Sequence, residues 1–402
     1  MTENLIIENF GPIKSINIDL GRVNVIIGDQ ATGKSTIAKI LSICRYFSYI
    51  VNFTSNTQEE FQENSQFYSG LKDWGLQNYL KKNSQIIYNC ELYEFELKNN
   101  YKDKVSNLPC TKIKSNSDKF TKLLGQLNDL KLDEIENKSD LFEVADWYPN
   151  ENFFRLNVKK VMNNPLFIPA ERGFQSLSVN RNSLVPNAIL DELTKLNKIV
   201  KGYNADIEIK PLNLLFRNED GLSKIKNINE EKFHFLHNGA SGFQSTIPIF
   251  LAVKFNNDLN INRGRTIIIE EPELNLFPKT QKRLIEFFVE TTNENKNQFI
   301  LPTHSPYVLS TLENLMYAYK LGNQINGKHK KEVSSVLDEK LWLNPDDVHV
   351  YYLKDGYAED AMSRSEALID KNKIDSVSET INQKFDRLLN IEIKIENELQ
   401  KC

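Results

Sequence analysis

Near the N-terminus apolar and polar positions alternate. "LIIENF" (Leu5–Phe10) and "INIDL" (Ile16–Leu20) predict two strands around a Gly11-Pro12 turn. "VNVII" (Val23–Ile27) is almost continuously apolar, the pattern of a strand covered on both faces. It runs into glycine and then into helical spacing from Lys34 to Phe47. From Tyr49 to Met162 the pattern loosens, with a hairpin signal at "IIYNCELYEFEL" (Ile86–Leu97) and amphipathic spacing from Asp118 to Leu130. "PLFIPAERGF" (Pro165–Phe174) predicts another buried strand, Asn187–Val200 a helix, and Asp206–Lys210 and Leu214–Arg217 short strands. "HNGASGFQST" (His237–Thr246) is a small-residue turn that opens the apolar helix "IPIFLAVKF". The strongest strand signal is "RTIIIEEPELNLFP" (Arg265–Pro278), which ends in carboxylates and precedes a helix from Lys279 to Thr291. "QFILPTHSPYVLS" (Gln298–Ser310) is one more apolar strand ending in polar residues. A strand at "VHVYYL" (Val348–Leu353) and a helix at Ile374–Leu389 complete the pattern.

This succession predicts an α/β fold, a mixed sheet flanked by helices, with insertions. The expected organisation is the first part of a head over 1–48, an inserted lobe over 49–162, and a head strand over 163–177. A helical insertion over 178–232, the second part of the head over 233–320, and a small α/β extension over 321–402 follow. A chain of 402 residues suits two or three such lobes. No heptad run is sustained, so a long coiled-coil arm is not expected.

Composition narrows the partners. The 50 basic residues nearly balance the 54 acidic ones, so no global charge calls for nucleic acid or an anionic membrane. Four scattered cysteines form no CxxC pair and five histidines add no ligand spacing, which argues against zinc. The opening "MTENLIIENF" lacks a basic and then apolar leader, and no apolar run reaches membrane-span length; the expected location is cytoplasmic.

"GDQATGKST" satisfies G-x-x-x-x-G-K-[ST] between a predicted strand and a predicted helix, the context that marks a phosphate-binding loop. Gly28, Asp29, Gln30, Ala31, Thr32 and Gly33 form the curl whose N–H groups face phosphate, and Lys34, Ser35 and Thr36 open the helix. Lys34 is expected at the β- and γ-phosphates and the Ser35 hydroxyl on Mg²⁺. At the end of "IIIEEPE", Glu270 is expected to serve the metal and Glu271 to act as general base toward the attacking water. His304, at the end of the next strand, is placed to contact the γ-phosphate. Serine before glycine at a helix start is ordinarily a cap, but "ASGFQ" precedes the acidic strand in an order that suits ATP hydrolysis.

Together "GDQATGKST", "ASGFQ", "IIIEEPELNLFP" and "LPTHSPY" resemble the ATP-binding-cassette ATPases of the SMC, RecF and OLD (overcoming lysogenization defect) group. The resemblance covers Leu5–Phe47, Pro165–Phe174 and Phe233–Leu312. It implies an ABC-type P-loop head, ATP and Mg²⁺ as cofactors, and a homodimer, or a higher homo-oligomer, that sandwiches ATP between subunits. By that likeness Ser241, Gly242 and Gln244 belong to the signature facing a partner's nucleotide, and Asn275 to the dimer-facing turn. Phe243 stands where a glycine is usual, Ala240 where a leucine is, and Glu270 where an aspartate is. The Q-loop glutamine is missing, which leaves Glu171, Arg172 and Gln175 as candidates. SMC arms are absent between Lys34 and Glu270, and beyond "THSPY" only Asp355 in "LKDG" hints at the acidic set of the nuclease carried by OLD proteins. The chain is therefore similar to stand-alone ATPase subunits of bacterial anti-phage systems such as PARIS and Septu, which implies a sensor or scaffold governing a separate effector, a nuclease by analogy. The alternatives are a RecF-like repair ATPase, for which the lysine-rich Tyr101–Lys122 would meet DNA, and a slow or inert nucleotide binder with an altered signature.

Overall fold

The N-terminal alternation folds as an antiparallel hairpin of β1 (Glu3–Phe10) and β2 (Ile13–Leu20). On β1 the inward set is Leu5, Ile7 and then Phe10, because a register shift between Glu8 and Phe10 inserts Asn9 at φ 50°. A computed structural model describes residues 3–54, 66–90, 93–102, 109–115, 165–172, 185–203, 205–258, 265–324, 328–370 and 388–389. The amphipathic stretch Asp118–Leu130, Gln175, and the expected helix Ile374–Leu389 apart from Leu388 and Leu389 lie outside them.

The apolar run after the hairpin is β3 (Val23–Gly28), buried throughout, and α1 (Lys34–Thr54) follows it. α2 (Gln66–Asp73) then leads to β4 (Leu80–Asn89), β5 (Tyr93–Lys102) and β6 (Pro109–Ser115). These three antiparallel strands extend the sheet outward from β1, so this part of 49–162 continues the head's own sheet. β7 (Leu166–Ile168) and α3 (Asn187–Gly202) come next. A four-stranded antiparallel sheet follows: β8 (Ile207–Ile209), β9 (Leu214–Glu219), β10 (Leu222–Asn227) and β11 (His234–Phe235). The apolar helix is α4 (Ser241–Asp258), and the acidic strand is β12 (Thr266–Ile269). α5 (Pro278–Asn295), β13 (Gln298–Thr303), α6 (Pro306–Asn323) and α7 (Lys330–Val336) complete the alternation. β14 (Val348–Lys354), β15 (Tyr357–Asp360), β16 (Met362–Ser363) and β17 (Leu368–Ile369) close the described chain.

Among the described residues the main sheet has 11 strands in the order β6-β5-β4-β1-β2-β15-β14-β3-β13-β12-β7. Its half from β14 to β7 is parallel, and its wing from β6 to β2 is antiparallel. β15 joins the halves, antiparallel to β14 and parallel to β2. Parallel strands are buried on both faces, and the alternation divides them between two cores. Ile26, Ile268 and Ile300 face α1 and α2; Val25, Ile267, Ile269, Phe299 and Leu301 face α4, α5 and α6. Ile207, Ile209, Phe216 and Ile225 of the small sheet form a third core with Ile247, Phe250 and Leu251 of α4.

The C-terminal strand differs from its sequence expectation. β14 does not stand in a separate extension; it lies beside β3, with Val350 opposite Val25 and Leu353 opposite Gly28. Asp355 and Gly356, both at positive φ (54° and 88°), turn β14 back into β15, as two-residue hairpins require. Asp355 is thus a turn residue. No helix among the described residues is long and apolar enough to cross a membrane.

Candidate nucleotide site

The parallel strands end level with one another. Ile27 on β3 is opposite Thr303 on β13, and Ile269 on β12 is opposite Ile168 on β7. The segments that follow these strands therefore emerge at one edge, the carboxyl end where open α/β sheets bind ligands. After β3 the chain curls through Ala31 (φ 62°) and Gly33 (φ 107°). A Cβ on Gly28 would sit 2.5 Å from the Leu353 carbonyl oxygen, so β14 leaves no room for a side chain there. Asp29, Gln30 and Ala31 are exposed, Thr32 is half-buried, and its hydroxyl donates to the Asp29 carbonyl at 2.8 Å.

Lys34 is buried beneath this curl. Its Nζ donates to the carbonyls of Gly28 (2.8 Å) and Asp29 (2.7 Å). Burial pushes its pKa down, and Glu271, Asp29 and Glu273 pull it partway back up, in that order. The ammonium is thus held at the mouth of a carboxylate cluster, where polyphosphate would satisfy it better than carbonyls do. Ser35 is exposed at the first turn of α1, and Thr36 is buried behind it.

Glu270 is only 4% exposed, and its backbone N–H donates to the Ile168 carbonyl at 3.0 Å. Burial raises its carboxyl pKa, opposed first by Lys39 and then by a hydrogen bond from Ser35. Its Oε1 is buried with no hydrogen-bond partner. A buried, orphaned carboxylate oxygen beside a serine hydroxyl is a hard oxygen donor set, and it fits Mg²⁺. Ser35 and Glu270 are the side chains that would hold the ion.

The raised pKa has a sign for stability. Between the ordinary carboxylate value and the raised one, the folded chain holds more protons than the unfolded chain, so stability falls as pH rises through that window. At neutral pH the cost is fully present. Glu270→Gln is therefore expected to raise the melting temperature of the metal-free protein at pH 7.5 by on the order of a degree or two, with a smaller gain at pH 4.5. The same variant is expected to lose Mg²⁺-dependent ATP turnover. Thermal melts in chelator at both pH values, beside a phosphate-release assay, check this; a lower melting temperature at pH 7.5 would contradict it.

Glu271 follows at φ 45°, left-handed backbone that a glutamate rarely adopts. Its N–H donates to the Pro302 carbonyl at 2.9 Å, and its own carbonyl accepts from Arg172 Nη2 at 2.7 Å. These two bonds hold it from β13 on one side and from the segment after β7 on the other. The Glu271 carboxylate is partly exposed, with Oε1 3.9 Å from Nε2 of His304. The His304 backbone N–H donates to Glu273 Oε1 at 2.7 Å. The phosphate loop, both acidic residues and His304 are thus brought to one edge.

Two participants were not legible as such. Glu273 fixes the main chain of His304, and its place in "EEPE" was the only signal. Arg172, one of three Q-loop candidates, is fully buried and bonds only carbonyl oxygens. Its signal was an arginine in the turn after an apolar strand, behind Pro169, Ala170 and Glu171.

Ser241 and Gly242 open α4 on the far side of the turn that follows Glu271. Ala240 takes the cap position, its carbonyl accepting from Phe243 N (2.9 Å) and Gln244 N (3.3 Å), and it has no side-chain oxygen to give. The Ser241 and Gly242 N–H groups therefore lie in the first turn, where no intrahelical acceptor exists. A Cβ on Gly242 would meet the Asn275 carbonyl oxygen at 2.8 Å, and Ser245 Oγ donates to the Leu274 carbonyl at 3.0 Å. The helix start is thereby packed onto the turn containing Asn275 (φ 62°). Gln244 braces its own loop, with Nε2 donating to the carbonyls of His237 (3.2 Å) and Gly239 (3.0 Å). Phe243 packs against the core of the small sheet, which accounts for an aromatic ring at this position.

The sequence matches the AAA ATPase domain family over residues 1–309. No curated protein sequence matches the chain. Similar solved structures include an SMC head domain from Thermotoga maritima, 10% identical, covering 89% of this chain and 97% of that one with a TM-score of 0.40. Another is an Smc head domain with an extended coiled coil bound to the C-terminal domain of ScpA, from Pyrococcus furiosus, 12% identical, covering 95% and 99% with a TM-score of 0.38. Identities and scores this low carry no functional weight. The family match spans the phosphate loop, the acidic strand and His304, which the fold gathers at one sheet edge; the chain belongs to the AAA ATPase domain family, and it is an ATPase.

Proposed function

We propose that the protein works as an ATP-sandwich homodimer, the sensor or scaffold subunit of an anti-phage defence system that controls a separate effector, a nuclease by analogy. In this reading ATP and Mg²⁺ occupy the edge formed by Gly28–Thr36, Glu270, Glu271 and His304. The first turn of α4, with Ser241 and Gly242, closes on the nucleotide of a second copy. The supporting observation is the packing of Gly242 against Asn275. That contact sets the first turn of α4 beside the turn that follows the acidic pair, which supports a site shared between two copies. Phe277, 78% exposed beside that turn, suits a surface that a second copy covers.

Among the described residues after His304, β14 and β15 join the main sheet, and Asp355 lies in the hairpin turn between them. At the site, Lys34 would hold the phosphates, Glu271 would take the proton of the attacking water, and His304 would sit across from it. Co-expression with the product of the neighbouring gene is expected to yield a complex and to protect cells from phage, with protection lost in Glu271→Gln. A chain that purifies alone and leaves phage plating unchanged overturns this reading.

One observation favours a DNA-binding repair ATPase as the second reading. On the small sheet, Arg217 lies 4.4 Å and Lys226 5.3 Å from the Phe233 ring centroid, and Lys224 lies 5.6 Å from that of Phe235. Cations interleaved with aromatic rings suit single-stranded nucleic acid, which here would have to displace Asp206 from Arg217 and Glu219 from Lys224. A salt-sensitive, ATP-dependent mobility shift supports it, and no shift at low salt removes it.

A further inference from the structure

We propose that Arg172 is the positioning residue of this ATPase: it holds the Glu271 backbone in its left-handed turn and ties that turn to α4. Its guanidinium is 0% exposed and donates to four carbonyl oxygens. Nε donates to Ser245 at 3.0 Å, Nη1 to Pro169 at 3.2 Å and Glu270 at 2.7 Å, and Nη2 to Glu271 at 2.7 Å. One rigid plane thus joins the segment after β7, the end of β12 and the second turn of α4.

A buried cation is expensive to keep without a paired anion, and an apolar side chain could fill such a space at less cost. Burial lowers the Arg172 pKa to about 10, and the carboxylates of Glu273, Glu271, Glu270 and Glu171 act against that shift. The bonds themselves go to main-chain oxygens, so Arg172 does not occupy the carboxylates of Glu270 and Glu271. What the guanidinium fixes is where the Glu270 and Glu271 backbones lie, and hence where their side chains start.

The α4 end of the link is built to respond. Pro248 has no N–H for the Gln244 carbonyl, so the turn next to Ser245 has one intrahelical bond fewer than a regular helix. Ser245 Oγ has one proton to share among the carbonyls of Ser241 (3.0 Å), Gly242 (3.2 Å) and Leu274 (3.0 Å), so it lies between the first turn of α4 and the turn after Glu271. A push on the start of α4 is therefore passed from the Ser245 carbonyl through Arg172 to the Glu271 carbonyl. The coupling to α4 rests on the dimer reading above; the hold on Glu271 does not.

The test compares Arg172→Met and Arg172→Lys with the wild type in three measurements: Kd for a fluorescent ATP analogue, ATP-dependent dimerisation by light scattering, and kcat. Misplacing a reacting group by about 1 Å costs roughly 100-fold in rate. Arg172→Met is accordingly expected to lose about 100-fold in kcat, with Kd held within about threefold. Arg172→Lys retains a buried cation but cannot span three segments, so it should recover no more than about tenfold of that loss. Wild-type kcat in Arg172→Met overturns the proposal. So does a parallel fall of kcat and nucleotide affinity in Arg172→Lys, which would make the residue merely structural. If the wild type stays monomeric with ATP, the dimer reading fails by itself, and the split between kcat and Kd still decides the hold on Glu271. If dimers form, kcat should rise with protein concentration in the wild type and lose that dependence in Arg172→Met; an unchanged dependence overturns the coupling to α4.

Discussion

Glu271→Gln is expected to lower ATP turnover by about 10²- to 10⁴-fold, the usual worth of a general base, while nucleotide binding stays close to the wild-type level. The exchange keeps the shape of the side chain and removes its negative charge together with its ability to accept a proton. Both bonds that fix Glu271 run through its main chain, to Pro302 and from Arg172, and a glutamine leaves them in place. The side chain also stays within reach of His304, whose Nε2 lies 3.9 Å from Oε1. The geometry of the edge should therefore survive, and on the dimer reading an ATP-bound dimer should accumulate because hydrolysis no longer releases it. Phosphate release and size exclusion in ATP measure the two effects. Turnover within a few-fold of the wild type would show that another group takes the proton, and Glu273 would be the next to examine.

Lys34→Ala should act at the earlier step. The ammonium is the cation at the centre of a group that includes Asp29, Glu271 and Glu273. Without it, the edge presents carboxylates to a polyphosphate. Hydrogen bonds to charged groups are worth about 1.5–3 kcal/mol each. Two of them lost predict an ATP Kd weaker by about 10²- to 10⁴-fold. The unliganded protein should fold normally, since the Lys34 bonds to Gly28 and Asp29 brace only the loop they span. Calorimetric titration with ATP and Mg²⁺ checks affinity, and a melt without nucleotide checks the fold. Retained ATP affinity in a folded Lys34→Ala protein would move the phosphates elsewhere.

The parts legible in the sequence are those whose chemistry is local. "VNVIIGDQATGKST" contains a strand, a turn and a helix start in one run, and "RTIIIEEPE" does the same for the acidic edge. Burial on both faces made these strands apolar throughout, so their pattern was unambiguous. β10 was not foreseen, because only Ile225 among its six residues is buried and its other positions are half-exposed or exposed. The neighbours of β3 were equally hidden, since strand order depends on contacts between distant segments. That is why Val348–Lys354 reads as the start of an extension and folds as a central strand. Arg172 shows the same limit at the site. Its residue type and its position after a strand were visible, but its four carbonyl partners come from β12, α4 and its own turn.

The place of β14 has a consequence for how the molecule is made. The phosphate-loop strand is synthesised before both strands that flank it, since β13 and β14 come much later in the chain. While the chain emerges from the ribosome, β3 has a free edge on each side until Gln298–Thr303 and then Val348–Lys354 have arrived. The wall over Gly28 is absent until Leu353 is in place. Long-range pairing of this kind folds slowly. A chain cut off before β14 would contain the whole phosphate-loop sequence without the strand that walls Gly28.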